Sequence, residues 1–137
     1  MPSNNDLDLI NNLTSQFFDV FTNSNNRTPN VSALKEMFIP EGIIISNTNG
    51  NTIVYSIGSF IAPRIEMLTN GTLLNFSEYE VSHKTEIYNT IAHRFCNYEK
   101  SGELNGKYFK SKGIKTLQFI KVANHWKLSS VAWCDES

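Results

Sequence analysis

The chain has little charge of either sign and no stretch dominated by one. Its 12 Lys and Arg and 13 Asp and Glu are scattered over 137 residues and leave a net charge of −1. No basic stripe forms, which argues against a nucleic-acid partner. No run approaches the ~20 consecutive apolar residues of a membrane span, so no membrane partner is expected. Met1 to Ile10 are polar and acidic and lack the basic-then-apolar pattern of a secretory leader. Cysteine is scarce: Cys96 and Cys134 are the whole complement, and neither belongs to a CxxC pair. Two buried free thiols in a reducing cytoplasm are the expectation. The Asn-x-Ser/Thr triplets at Asn12, Asn26, Asn30, Asn70 and Asn75 then read as chance products of an Asn-rich chain. His83, His93 and His125 show no metal-ligand spacing, and neither metal nor cofactor is expected.

What is present is a globular composition, 40% hydrophobic and 18% charged, with 9 Phe. That suits a single domain over 1–137. Residues 4 to 23 carry Leu7, Ile10, Leu13, Phe17, Val20 and Phe21 at the spacing of one helical face, with Ser3 as cap and Asp6 and Asp8 at the positive end of the dipole. The Phe17, Phe18 and Phe21 stripe reads as core. A second helix is expected over 27–40, capped by Ser32 and closed by Pro40. Residues 41–46 and 52–56 read as a hairpin around Asn49-Gly50. A third helix over 59–69, capped by Ser59 with Pro63 in or near its first turn, stops at Asn70-Gly71.

From there the alternation is of period two. Strands are expected over 77–88 and 91–99, then a polar loop over 101–106. Two long strands follow, from Gly113 to Trp133, with a bulge at Gly113. Helices first and strands after argue an α+β fold: helices on one face of a curved, mostly antiparallel sheet. Both faces of the last hairpin are apolar. Helices cover one such face, and a partner subunit is expected on the other.

The patches Leu117-Gln-Phe-Ile-Lys121, Trp126-Lys-Leu128 and Val131-Ala-Trp133 are similar to the last strands of small bacterial NTF2-like proteins. Phe60-Ile-Ala-Pro-Arg64, Thr85-Glu-Ile-Tyr88 and Ile91-Ala-His-Arg-Phe95 also resemble an uncharacterised bacterial branch of that superfamily, which includes the SnoaL-like and ketosteroid-isomerase-like groups. The resemblance implies a cone-shaped, cystatin-like α+β barrel with a cavity at its open end, often as a homodimer. It does not imply one reaction.

The residues themselves offer one candidate for chemistry. A short turn at Asn89-Thr90 places Glu86 opposite His93 with Tyr88 on the same face. A carboxylate that orients an imidazole is a usable general base, and a tyrosine hydroxyl can donate to an oxyanion. The competing reading is an ordinary cross-strand polar pair. Tyr55, Arg64, Gln118 and Trp133 are the candidate ligand contacts, with Gln118 on the cavity floor. Phe119 and Trp133 are expected on the subunit surface. Arg94, within an apolar strand, needs a carboxylate from Glu78, Glu80 or Glu86. A connection through Ala123, Asn124 and His125 pairs Ile120 with Leu128 and Gln118 with Ser130. Two functions remain open: a small-molecule pocket protein, with or without isomerase- or dehydratase-like acid–base chemistry, and a non-catalytic homodimeric module that binds another protein.

Overall fold

The computed structural model describes residues 4–136, and the proposed cap Ser3 lies outside them. Three helices pack on one face of a six-stranded sheet. Helix α1 spans Asn4–Asp19, α2 Leu34–Met37 and α3 Ile57–Thr69. The strands are β1 Phe38–Ser46, β2 Ile53–Ser56, β3 Leu73–Tyr88, β4 Ile91–Leu104, β5 Lys107–Val122 and β6 His125–Asp135. Their order in the sheet is β2-β1-β6-β5-β4-β3. Every neighbouring pair is antiparallel except β1 with β6, so the sheet is mixed, and its edge strands β2 and β3 leave it open. No helix among the described residues is long and apolar enough to cross a membrane.

The core lies between the helices and the inner face of the sheet. Ile10 and Phe17 of α1, with Phe21 in the turn after it, meet Ile44, Leu117, Phe119, Leu128 and Val131 there. Asp6, in the first turn of α1, accepts a hydrogen bond from the Trp126 indole at 3.0 Å and pairs with Lys121 at 2.8 Å. This fixes one end of α1 to the β5–β6 hairpin. At the other end the helix stops at Asp19, short of residue 23, because Asn23 is used as a clasp. Its side-chain amide donates to the carbonyls of Leu68 and Leu73 at 2.9 and 2.8 Å, and it accepts from the Phe76 N–H at 2.7 Å. One side chain thereby joins the end of α1 to the end of α3 and the start of β3.

Several boundaries differ from the sequence expectation. The second helix shrinks to one turn, because Phe38 onward is drawn into β1 by parallel pairing with β6. Pro40 lies in the irregular part of that pairing, between Phe38 and Ile43, where a missing N–H costs no ladder bond. Ser32 does not cap α2: Ser32 lies inside the 3₁₀ turn Val31–Ala33, and the residue at the cap of α2 is Ala33. Helix α3 is capped by Ser56, whose hydroxyl accepts from the Ser59 N–H at 3.1 Å, and Pro63 sits in the helix interior. Pro63 and Ser59 are exposed, so water can reach the carbonyl that proline leaves without a donor.

Residues 101–104 are strand, not loop. Asn105-Gly106 forms a two-residue turn with both φ positive, at 52° and 81°. Irregularities in β3, between Leu74 and Ser77 and between Glu80 and Ser82, bend it across the sheet. The β5–β6 turn is also two residues, Ala123 and Asn124 with φ of 50° and 67°, which sets Ile120 opposite Lys127 and Lys121 opposite Trp126. A bulge between Gln118 and Phe119 then restores the expected pairing of Gln118 with Ser130. That bulge replaces the one expected at Gly113.

Candidate functional site

A partly open cavity of about 380 Å³ lies between the bent half of the sheet, the end of α1 and α3. Its wall is aromatic. Phe17 meets Phe21 edge to face at 5.8 Å between centroids, Phe21 meets Phe60 at 6.0 Å, and Phe60 meets Trp133 at 6.0 Å. The Phe17 and Phe21 stripe therefore serves the core and also lines the cavity.

The floor is charged, and its geometry begins with a glycine. Gly113 lies between Tyr98 on β4 and Asp135 on β6 in one cross-strand row. A Cβ at Gly113 would sit 2.5 Å from the Tyr98 hydroxyl and 2.3 Å from the Cys134 carbonyl oxygen. Without it, the Tyr98 ring can cross β5, and its hydroxyl donates a short hydrogen bond to Asp135. Lys100 closes on the same carboxylate at 2.9 Å. Burial opposes ionisation of Asp135, but the hydrogen bonds from Tyr98 and Lys100 outweigh it and hold the carboxyl below its usual range. Burial, with the hydrogen bond to Asp135, pushes the Tyr98 hydroxyl well above the ordinary phenol value.

Next to this row lies Lys115. Its side chain is 6% exposed, and Nζ stands 3.1 Å from Oε2 of Glu78, itself 7% exposed. The ammonium also lies 4.3 Å from the Tyr98 ring centroid and 4.6 Å from that of Trp133. Two aromatic faces and one carboxylate replace the water that a lysine normally keeps. The contact to Glu78 is an ion pair without hydrogen-bond alignment: Oε2 is buried and accepts no hydrogen bond. The distance secures the Coulomb attraction, while the misaligned lone pairs leave Oε2 open to a donor.

Arg64 of α3 stands on the wall. Its guanidinium lies 3.9 Å from the centroid of Phe60 and 4.9 Å from that of Tyr55. No carboxylate lies within ion-pair distance of it among the described residues.

No family model matches the sequence, and no curated protein matches it. The solved structures do. A candidate Ca/calmodulin-dependent kinase II association domain from Exiguobacterium sibiricum superposes with a TM-score of 0.74 at 12% identity, covering 100% of this chain and 97% of its own. An NTF2-like protein of unknown function from Silicibacter pomeroyi gives 0.67 at 14% identity, with 99% and 100% covered. The chain has the NTF2-like fold. A hexachlorocyclohexane dehydrochlorinase, LinA type 2, shares it with a TM-score of 0.72, 12% identity and coverage of 97% and 86%.

On this NTF2-like scaffold the sequence candidates divide between two faces. Glu86 and His93 are paired as expected, with His93 Nε2 at 2.7 Å from Glu86 Oε1. They lie on the outer face, away from the helices, with side chains 66% and 58% exposed, and Tyr88 is 73% exposed. The partly dry surroundings expected for that trio are absent, because the side chains are mostly exposed; the pair borders a hollow of about 430 Å³ on the outer face. Its hydrogen bond with His93 lowers the Glu86 carboxyl from its ordinary value. Gln118 is also on the outer face, not on the cavity floor. Phe119 and Trp133 show the reverse inversion. They face inward, Phe119 fully buried and Trp133 lining the cavity, so neither forms an outer subunit surface.

Arg64 and Trp133 do line the cavity, and Tyr55 backs Arg64. Arg94 is buried and bidentate to Glu80 at 2.8 and 2.5 Å, with Asn11 at 2.7 Å, which is a structural ion pair. His83 faces Cys96 across the strands, and its Nδ1 lies 3.1 Å from the Thr85 hydroxyl. Cys96 is buried but Cys134 is exposed, which corrects the expectation of two buried thiols. Sequence pattern alone does not mark Lys115, Glu78, Asp135 and Tyr98 as cavity groups. One signal was available: Lys115 shares its strand face with Gly113, Leu117 and Phe119, an odd place for a solvated lysine.

Proposed function

We propose that this protein binds a small, mostly apolar molecule in the inner cavity. The observation that carries the reading is the cavity itself: aromatic walls around a floor with buried ionic groups, at a volume usual for ligand sites. The dehydrochlorinase of the same fold, named for an apolar compound, supports it. Arg64 and Trp133 are the ligand contacts, with Tyr55 positioning Arg64. Acid–base chemistry at this site falls to Glu78. Its Oε2, beside the Lys115 ammonium at 3.1 Å and accepting no hydrogen bond, is the proton acceptor of this reading. Titration with the neutral fluorophore phenylnaphthylamine tests the binding reading. Saturable binding is expected, lost on Ser111→Trp, which fills the wall, while the variant keeps its fold by circular dichroism. Absence of binding to the native protein refutes it.

A second reading concerns the outer face, and it is that two copies associate there. Ile43, Val54, Ile91 and Phe95 stand exposed on that side, around the Glu86–His93 pair. Association of two such faces would bury the pair. Sedimentation should show a dimer that Phe95→Asp converts to monomer; a native monomer at all concentrations overturns it. Two unpaired cysteines support a reducing, cytoplasmic location.

A further inference from the structure

The charges around the cavity do not balance. Arg64, Lys100 and Lys115 line it as cations, and Glu78 and Asp135 as carboxylates. Lys100 is satisfied by Asp135 and Lys115 by Glu78. Arg64 is left over, and it is held rather than free to swing. Its guanidinium lies over the Phe60 and Tyr55 rings, which meet each other edge to face, and the residue is half-buried. A guanidinium fixed by stacking keeps its donor fork unspent and needs little further ordering to grip a planar anion. At the floor the complement is inverted: buried Glu78 Oε2 accepts nothing.

We infer that the ligand is an amphiphilic monocarboxylate. Its carboxylate is held by Arg64, its apolar body lies along Phe60 and Trp133, and a hydroxyl or N–H at its far end donates to Glu78. This rests on the binding reading above and narrows it to one chemical class. A neutral apolar ligand would leave the wall with an unmatched positive charge. A ligand anionic at the floor end would meet Glu78 and Asp135.

The test is displacement of phenylnaphthylamine from the intact chain by decanol, decanoate and ω-hydroxydecanoate, which differ only at their ends. Decanoate should displace the probe at a concentration at least about tenfold below decanol, as expected for one charge-assisted bidentate contact. Arg64→Gln should bring the two within about twofold while leaving decanol unchanged. The hydroxy acid should compete better than decanoate, and Glu78→Gln should remove that margin. Equal competition by decanol and decanoate overturns the inference while leaving the binding site standing. So does an Arg64→Gln variant that keeps the preference. If the probe itself does not bind, the binding reading falls and takes this one with it. Because Glu78 is buried, its variant is read only where its melting curve remains cooperative; Arg64, on the wall, carries the decision otherwise.

Discussion

Removing the Lys115 ammonium should damage this protein more than removing the carboxylate it faces. In Lys115→Met, Glu78 remains at 7% exposure with its one cation gone and Oε2 without a donor. Stranding a buried charge costs about 3–5 kcal/mol. The lost cation–π contacts to Tyr98 and Trp133 add about 0.5–1 kcal/mol each. The reverse change, Glu78→Gln, keeps the volume and leaves the ammonium between two aromatic faces, so about 1–3 kcal/mol is expected. The double variant Lys115→Met/Glu78→Leu removes both charges, and its cost should fall below that of Lys115→Met alone. Urea denaturation at neutral pH, followed by circular dichroism, measures all three. A whole domain has only about 5–15 kcal/mol to lose, so the midpoint for Lys115→Met should drop by a large fraction. Two results would refute the reasoning: Glu78→Gln costing more than Lys115→Met, or a double variant as unstable as the sum of the singles.

Gly113→Ala forces a Cβ to within 2.3 Å of backbone at Cys134 and 2.5 Å of the Tyr98 hydroxyl. A loss of about 2–3 kcal/mol is expected by thermal or urea unfolding, with part of it recovered in the Tyr98→Phe background. Asp135 has a depressed carboxyl, so its contribution is present above the ordinary carboxylate range and lost as pH falls through its folded value. The stability gap between native protein and Asp135→Asn should therefore be largest near neutrality and should close in acid, read from urea midpoints at several pH values. A gap that widens on acidification contradicts this. The Cys96 thiol is pushed up to about 12, mainly by burial, while Cys134 is exposed. Near neutral pH a disulfide thiol reagent should label Cys134 rapidly and Cys96 only on unfolding. Rapid labelling of both in the native state would show that Cys96 is accessible.

The parts of the fold that were legible depend on local chemistry. The β3–β4 register follows from the short Asn89-Thr90 turn, in which Asn89 takes a positive φ of 50°. The β5–β6 register was half legible. A two-residue turn shifts it near the tip, and a bulge after Gln118 shifts it back, and neither leaves a sequence mark as plain as an Asn-Gly pair. Leu34-Lys-Glu-Met37 continues as a helix by propensity, and what stops it is a partner in β6 far along the chain. The cavity floor was hidden for a related reason. Lys115 looks like the other lysines of β5 until Tyr98 and Trp133 are brought over it from flanking strands. Alternation gives two faces, but not which one the helices cover. That is why the sequence pattern places Gln118 and Phe119 on the opposite sides from those they occupy.

The parallel pairing of β1 with β6 also bears on how the chain comes to be folded. Strands β3 to β6 join as successive hairpins, each pairing with the one before it. Strand β1 has no such neighbour except the short β2. Its second edge waits for β6, about 90 residues later, to supply the ladder from Ile44 to Val131. Until then two further strand edges stand unpaired besides those of β2 and β3, one on β1 and one on β5. The final strand thus joins the two halves of the sheet. It also completes the cavity, because Trp133 and Asp135 arrive on it. Closure of the sheet and completion of the cavity wall both come with β6.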